Sequence, residues 1–274
     1  MFDNCDLHIH SIYSDGVKTP EEIFIKCVNQ NFKAFSITDH DTIDGCIKAY
    51  EIKDNYDIEF LSGIEISCHE RKREFHLLGY NFDINNDRLQ TQIELFKKNR
   101  RVRAEKILQR LTKVKVNIEL DYVEEIAGEA PITRPHIANA MLNNNFVSNL
   151  KEAFLLYLGN GRPGFVEKAN FPIKEAISLI NDAGGIASLA HPAHNLTQDI
   201  LKRLLNYGID GIEVVHPTHD QKMKMYYKNL ASQYYLIATG GSDYHGLYEF
   251  DDYSFGKFTI PYSTVESIKI SSNQ

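Results

Sequence analysis

Tryptophan is absent from this 274-residue chain, and no apolar run reaches the length of about 18 residues that a membrane-spanning helix needs. No membrane partner is therefore expected. No basic, apolar, small-residue leader opens the chain, and a strand-like stretch begins almost at once, which fits a cytoplasmic protein. The four cysteines, Cys5, Cys27, Cys46 and Cys68, have no paired spacing, which argues against a disulfide framework and for reduced, buried thiols. Basic charge is in deficit, with 30 Lys and Arg against 37 Asp and Glu and a net charge of −7. That balance argues against a broad surface that coats nucleic acid, and no stable duplex binding is expected. There is no Gly-x-Ser-x-Gly elbow, so no serine nucleophile is indicated, and no internal repeat or low-complexity tract occurs.

What remains is an ordinary globular composition, 43% apolar and 24% charged, long enough for one large α/β domain or two small ones. Against that background eleven histidines stand out. Histidine is the commonest metal ligand and titrates near neutrality, so their positions carry information.

Cys5 to Ile9 reads as a short apolar strand, in which His8 and His10 project to the same side because residues two apart share a face. The loop that follows bends at Gly16 and can bring Asp15 to the same rim. Thr19-Pro20-Glu21-Glu22 opens a helix, with Thr19 as N-cap, Pro20 at the first position and Glu22 closing a capping box. The strand Ala34–Thr38 ends in Asp39-His40-Asp41, and a helix follows through Ile43, Ile47, Ala49 and Tyr50. Phe60–Glu65 reads as one strand with its carboxylate at the C-terminal end, and Glu74–Tyr80 as another with His76 inside it. This alternation predicts parallel strands in a barrel or an open sheet, with chemistry at the C-terminal strand ends.

The pattern changes over residues 84–164, which read as a helical insertion. One long helix spans Leu89–Val114, strongly basic from Lys97 to Lys115; shorter helices follow at Leu120–Ala127, Pro135–Leu142 and Leu150–Leu158. The basic run is either a solvated face or a source of positive potential for an anionic substrate. Gly159–Gly164 breaks the pattern. Alternation then resumes: helix Lys174–Asp182, strand Ile186–Ala190 ending in His191, helix Gln198–Asn206, and strand Gly211–Val215 ending in His216. A helix over Asp220–Ser232 precedes strand Tyr235–Thr239, which leads to Asp243 and His245; strand Lys257–Ile260 and a short helix close the chain.

Nearly every predicted strand thus supplies an imidazole or carboxylate, mostly at one end, where random placement would scatter them. His8, His10, Asp15, His40, Glu65, His76, His191, Asp243 and His245 make nine ligand-type groups, more than one ion needs. Two or three ions bridged by a carboxylate such as Glu65 would use them. Mixed imidazole and carboxylate donors suit Zn²⁺, Mn²⁺ or Fe²⁺ rather than Mg²⁺ alone.

Asp6-Leu7-His8-Ile9-His10-Ser11, Ile37-Thr38-Asp39-His40-Asp41-Thr42, Gly63-Ile64-Glu65-Ile66-Ser67, Ala190-His191-Pro192 and Gly241-Ser242-Asp243-Tyr244-His245 resemble, in order, the motifs of the PHP (polymerase and histidinol phosphatase) family. The resemblance implies a distorted (β/α)7 barrel, residues 1–83 and 165–274, with 84–164 as a helical substrate cap. It implies three divalent ions: His8, His10, Glu65 and Asp243 on one, Glu65, His76 and His191 on a second, and Asp15, His40 and His245 on the third. Glu65, His191 and Asp243 are thereby the candidate catalytic residues.

The insertion and Ile132-Thr133-Arg134-Pro135-His136-Ile137-Ala138 resemble the branch acting on nucleoside 3′,5′-bisphosphates, AMP or short 5′-phosphorylated RNA. Pro135 stands where relatives carry glycine, which loosens the assignment of Arg134 and His136 as substrate contacts. Arg134 can grip a phosphate through paired hydrogen bonds, and His136 can add a donor or protonate a leaving oxygen. A phosphatase for a small metabolite such as histidinol phosphate is the alternative; a degenerate binding module is disfavoured because none of the nine groups is missing. His69, His194, His216 and His219 read as structural or surface residues, with His216 placed at a strand end where it could meet substrate. Protein partners are not indicated.

Overall fold

The first helix forms where the sequence marks it. Thr19 accepts from the Glu22 backbone N–H at 3.2 Å while the Glu22 carboxylate accepts from the Thr19 N–H at 2.9 Å, and Pro20 follows at the first helical position. Ile23, Phe24 and Cys27 then fall on its buried face.

The computed structural model describes residues 3–71 and 73–272. In chain order its elements begin with β1 (Asn4–Ile9), α1 (Pro20–Asn29), β2 (Ala34–Ile37), α2 (Asp44–Ile52), β3 (Glu59–Leu61), β4 (Gly63–Glu70) and β5 (Arg73–Tyr80). Helices α3 (Asp87–Thr112), α4 (Leu120–Ala127), α5 (Arg134–Asn143) and α6 (Leu150–Ala153) follow, the last running into a π-helical turn at Phe154–Leu158. Next come α7 (Ile173–Asp182), β6 (Ile186–Leu189), α8 (Gln198–Asn206), β7 (Gly211–Val215) and α9 (Gln221–Tyr234). The chain closes through β8 (Ile237–Gly240), α10 (Glu249–Ser254), β9 (Ile260–Pro261) and α11 (Tyr262–Ser272). By packing, the chain divides into two compact units, Met1–Thr91 with Asn170–Gln274, and Gln92–Ala169.

The first unit is a mixed α/β structure. One sheet has the order β3-β2-β1-β9, parallel except for β9; the other has the order β4-β5-β6-β7-β8. In the second sheet β5 runs antiparallel to both β4 and β6, while β6, β7 and β8 are parallel. Among the described residues the pairings close no barrel, and the uniformly parallel arrangement expected from the sequence gives way to a mixed one. Its cause is the tight connection between β4 and β5, which is too short for a crossover and folds the two strands back as a hairpin.

The expected strand Phe60–Glu65 is broken at Ser62. Phe60 and Leu61 pair with β2, whereas Gly63 onward pairs with β5 in the other sheet. Ser62 is engaged by the residues just beyond β5: its Oγ donates to Phe82 O at 2.9 Å and its carbonyl accepts from Asn81 N at 3.0 Å. Tyr235, expected to begin a strand, instead ends α9 in the left-handed conformation (φ 57°), so β8 starts two residues later. The last strand is only Ile260–Pro261: Lys257, expected to begin it, lies instead in the turn that closes α10, its N–H donating to Ser254 O at 2.9 Å.

The two sheets meet through isolated backbone pairs, His40 with Glu65 and Ile9 with Tyr244. Leu7, Leu61, Leu78, Tyr80, Ile186 and Val265 pack into one of the buried apolar clusters of this unit. The helical unit has its own core, including Ile107, Leu111, Val123, Met141 and Leu158. Its basic stretch is only partly a solvated face: Arg103 donates to Val166 O at 2.9 Å and Arg110 to Phe165 O, while the exposed Arg101 pairs with Glu105 and Glu124. No described helix is long and apolar enough to cross a membrane.

Candidate metal centre

The site is assembled from strand ends. His8 lies on β1 and His10 just beyond it, on one face as the two-residue spacing requires, with ring centroids 5.2 Å apart. The loop after His10 is fixed by Asp39, whose carboxylate accepts from Ser11 N at 2.7 Å, Ser11 Oγ at 2.6 Å and Ser14 Oγ at 2.6 Å. That loop closes tightly enough that a Cβ on Gly16 would lie 2.4 Å from His10 O, so glycine is required where the chain turns back with Asp15. Asp6 ties β1 to the loop after β8: its Oδ1 accepts from His8 N and Ser242 N, and burial raises its pKa to about 6. A side chain at Gly241 would strike His8 itself, 2.4 Å from its N.

Glu65, on β4 and fully buried, is the hub. Its Oε2 lies 3.3 Å from His8 Nε2, 3.2 Å from His10 Nε2 and 3.1 Å from His40 Nδ1. Its Oε1 lies 2.8 Å from His76 Nδ1 and 2.9 Å from His191 Nε2. Asp243 Oδ1 is 3.2 Å from His8 Nε2 and 3.1 Å from His10 Nε2. Asp15 Oδ1 stands 3.4 Å from His245 Nε2, and its Oδ2 4.0 Å from His40 Nε2. All nine groups singled out in the sequence therefore come together. Donor atoms within 4.8 Å of one another form the groups His8, His10, Glu65, Asp243; His10, Asp15, His40, His245; His40, Glu65, His76; and His8, Glu213, His216.

Five imidazoles crowd one carboxylate here, more than its lone pairs can serve. Even so, His8 Nε2, Asp15 Oδ1, His40 Nδ1 and Glu65 Oε2 are buried without a hydrogen-bond partner. Buried polar atoms left in that condition are costly unless they coordinate something. A mixed nitrogen and oxygen donor set of this kind fits divalent cations. The electrostatics agree. Burial opposes ionisation of Glu65, but the imidazoles of His40, His76 and His8 hold its pKa well below the usual range. Asp243 is held down likewise against burial, chiefly by His8. Burial opposes protonation of His10, yet its hydrogen bond to Asp243 and the negative charge of Asp243 and Glu65 carry its pKa to about 10. For His40 burial wins and the pKa falls.

Two members of the cluster escaped the sequence reading. Glu213, in the middle of β7, is fully buried, with Oε1 2.9 Å from His8 Nδ1. His216, noted at a strand end that could meet substrate but read as structural or surface and not as a ligand, is 3% exposed and puts Nε2 3.2 Å from Asp243 Oδ2. Glu213 had one available signal, a lone carboxylate inside the apolar run Gly211–Val215. Of the remaining histidines, His194 is exposed, His219 is 3% exposed with both ring nitrogens bonded to backbone, and His69 pairs through its backbone with Phe171.

Arg134 and His136 both lie at the start of α5 in the helical unit. Arg134 donates to Leu158 O at 3.3 Å and sits 5.8 Å from the Phe154 ring centre, while His136 Nδ1 accepts from Thr133 N at 3.2 Å and so caps the helix. Pro135 falls in the first turn, where a missing N–H costs nothing.

The fold and this cluster define a class, and comparison with known proteins names it. The PHP domain family matches residues 6–165, and the chain belongs to the PHP family as a metal-dependent phosphoesterase. It is 33% identical over 245 residues to the 5'-3' exoribonuclease of Haemophilus influenzae, covering 88% of this chain and 89% of that one. It is 28% identical over 248 residues to the 3',5'-nucleoside bisphosphate phosphatase of Chromobacterium violaceum, with 88% and 87% covered. A solved structure from Bifidobacterium adolescentis, provisionally assigned as a metal-dependent phosphoesterase, superposes with a TM-score of 0.90 at 25% identity over 97% of this chain and 96% of that one.

Proposed function

We propose that the chain hydrolyses a phosphate ester of a nucleotide: a nucleoside 3′,5′-bisphosphate, AMP or a short 5′-phosphorylated RNA. The observation that carries this reading is the convergence of His8, His10, Asp15, His40, His76, His191, Asp243 and His245 around Glu65, with His8 Nε2, Asp15 Oδ1, His40 Nδ1 and Glu65 Oε2 buried and without a hydrogen-bond partner. The nucleotide preference is supported by the exoribonuclease and bisphosphate phosphatase among its relatives.

In this reading three divalent ions of Mn²⁺, Zn²⁺ or Fe²⁺ type are held as the family pattern implies, with Glu65 shared between two of them, and the two sheets form the walls of the family's distorted (β/α)7 barrel. Bound ions of this kind supply hydroxide near neutral pH and neutralise charge on phosphoryl oxygens. The chain's own groups fix the geometry. Glu65, His191 and Asp243 stay ionised or hydrogen-bonded in place, and the burial of His8 and His10 keeps bulk water from their ring nitrogens. Segment 84–164 serves as a substrate cap, with Arg134 donating to a phosphate and His136 supplying a further donor. The test is phosphate release from adenosine 3′,5′-bisphosphate, AMP, histidinol phosphate and a short 5′-phosphorylated RNA, each with added Mn²⁺. Turnover of a nucleotide or the RNA well above histidinol phosphate supports the reading; histidinol phosphate as the best substrate overturns it.

A further inference from the structure

We propose that Glu213, braced by His219 and Tyr227, is a positioning residue that sets two candidate metal ligands at once, His8 through its ring and His191 through its backbone. The inference rests on the reading of His8 and His191 as metal ligands.

Glu213 sits at the centre of β7, fully buried in an otherwise apolar strand. A buried carboxylate is tolerated only when its lone pairs are used. Both oxygens here are committed. Oε1 lies 2.9 Å from His8 Nδ1, and Oε2 accepts from His191 N at 2.6 Å. A carboxylate only accepts, so His8 Nδ1 is the donor in the first contact, and Nε2, 3.3 and 3.2 Å from Glu65 and Asp243, is the nitrogen left to meet an ion held between them. A carboxylate behind a ligating imidazole orients the ring and raises its basicity.

The second contact bears on a backbone that needs holding. His191 and Ala193 have φ of 21° and 42°, values that residues with a side chain rarely adopt. Beyond Glu213, two further groups grip this turn. Ala193 N donates to His219 Nε2 at 3.2 Å, and Ala193 O accepts from the Tyr227 hydroxyl. His219 in turn donates from Nδ1 to Val214 O at 3.0 Å, so both of its ring nitrogens serve the clamp. Glu213 and Val214 belong to β7, and Tyr227 to α9, which packs on it. One strand and its covering helix thus hold the loop that presents His191 Nε2 to Glu65, 2.9 Å away. Glu213 also falls within donor range of His8 and His216, which makes direct ligation the competing role. An amide N–H on one oxygen and an imidazole on the other leave orientation as the function the geometry favours.

The experiment compares wild type, Glu213→Gln, Tyr227→Phe and His191→Ala, stripped of metal and titrated with Co²⁺ against a competing chelator. Visible absorption reports stoichiometry, affinity and coordination geometry; thermal unfolding of the metal-free proteins reports folding. Glu213→Gln is expected to bind the wild-type number of ions at saturation, about 10–100-fold more weakly, with shifted cobalt bands. Tyr227→Phe, which removes one hydroxyl and keeps the ring, is expected to weaken binding about fivefold, as the loss of one hydrogen bond implies. It carries the test alone if Glu213→Gln does not fold. A lower unfolding temperature with unmoved cobalt bands and wild-type affinity would make the role purely structural and overturn the proposal. Wild-type affinity and bands in both variants, while His191→Ala loses an ion, would overturn the proposal and leave the metal reading intact. Fewer ions at saturation in Glu213→Gln would also overturn it by making Glu213 a ligand. Wild-type binding by His191→Ala would overturn the metal reading and the proposal together.

Discussion

In the helical unit the interior is apolar, with Ile107, Leu111, Val123, Met141 and Leu158 buried against one another and the arginines turned to carbonyls and carboxylates around it. In the sheet unit the apolar packing of Leu7, Leu78, Tyr80 and Ile186 shares the interior with Asp6, His8, His10, Glu65 and Glu213, all fully buried. The first interior is stabilised by removing apolar surface from water. The second places charged and polar groups where only mutual pairing and bound cations offset desolvation. One unit can therefore lose a methyl group only at a cost in stability, whereas the other can lose a single carboxylate oxygen at a cost in function.

The largest effect that sharpens this contrast is expected at Glu65. Glu65→Gln keeps the shape of the hub but removes the charge that five imidazoles face, and should lower turnover about 1000-fold, the several kcal/mol that ion-stabilised chemistry supplies. Steady-state phosphate release with Mn²⁺ checks this, with circular dichroism to show that the fold survives. In the helical unit, Leu111→Ala at a fully buried site should cost about 2–5 kcal/mol in chemical denaturation. Activity loss in Glu65→Gln together with a large stability loss would erase the distinction between the units.

Metal should act on one unit only. Mn²⁺ at about 100 times its dissociation constant stabilises the state that binds it by about 2.7 kcal/mol, so hydrogen exchange should slow in β1, β4 and β6 and stay unchanged in α4 and α5. Equal protection of both would break the comparison. Smaller still, Thr19→Ala removes the α1 cap and should cost about 1 kcal/mol with no change in turnover per folded molecule. At the bottom of the scale, burial lifts the Cys5 and Cys46 thiols to about 12, so alkylation at pH 8 should be negligible until the protein is unfolded.

Much of the candidate site was legible because its residues sit in short local patterns. His8 and His10 announce a shared face by spacing alone, and His40, His191 and Asp243 each end an apolar run. The α1 capping box was legible for the same reason, since all of its partners lie within three residues. Glu213 was not, because its meaning depends on His8, 205 residues away, and on the His191 amide. The split at Ser62 was hidden too: nothing in Phe60–Glu65 itself tells the chain to leave one sheet for the other, and the bonds that settle it come from Asn81 and Phe82. The mixed strand directions follow from that exchange and from the β4–β5 hairpin, which a regular alternation of strands and helices conceals.

The central claim is that side chains distant in the chain converge to hold divalent ions around Glu65. Anomalous diffraction from Mn²⁺-loaded crystals tests it most directly. The account predicts adjacent peaks within coordination distance of Glu65, Asp243 and Asp15, bridged through the Glu65 carboxylate. Peaks confined to surface carboxylates, with none at Glu65, would contradict it.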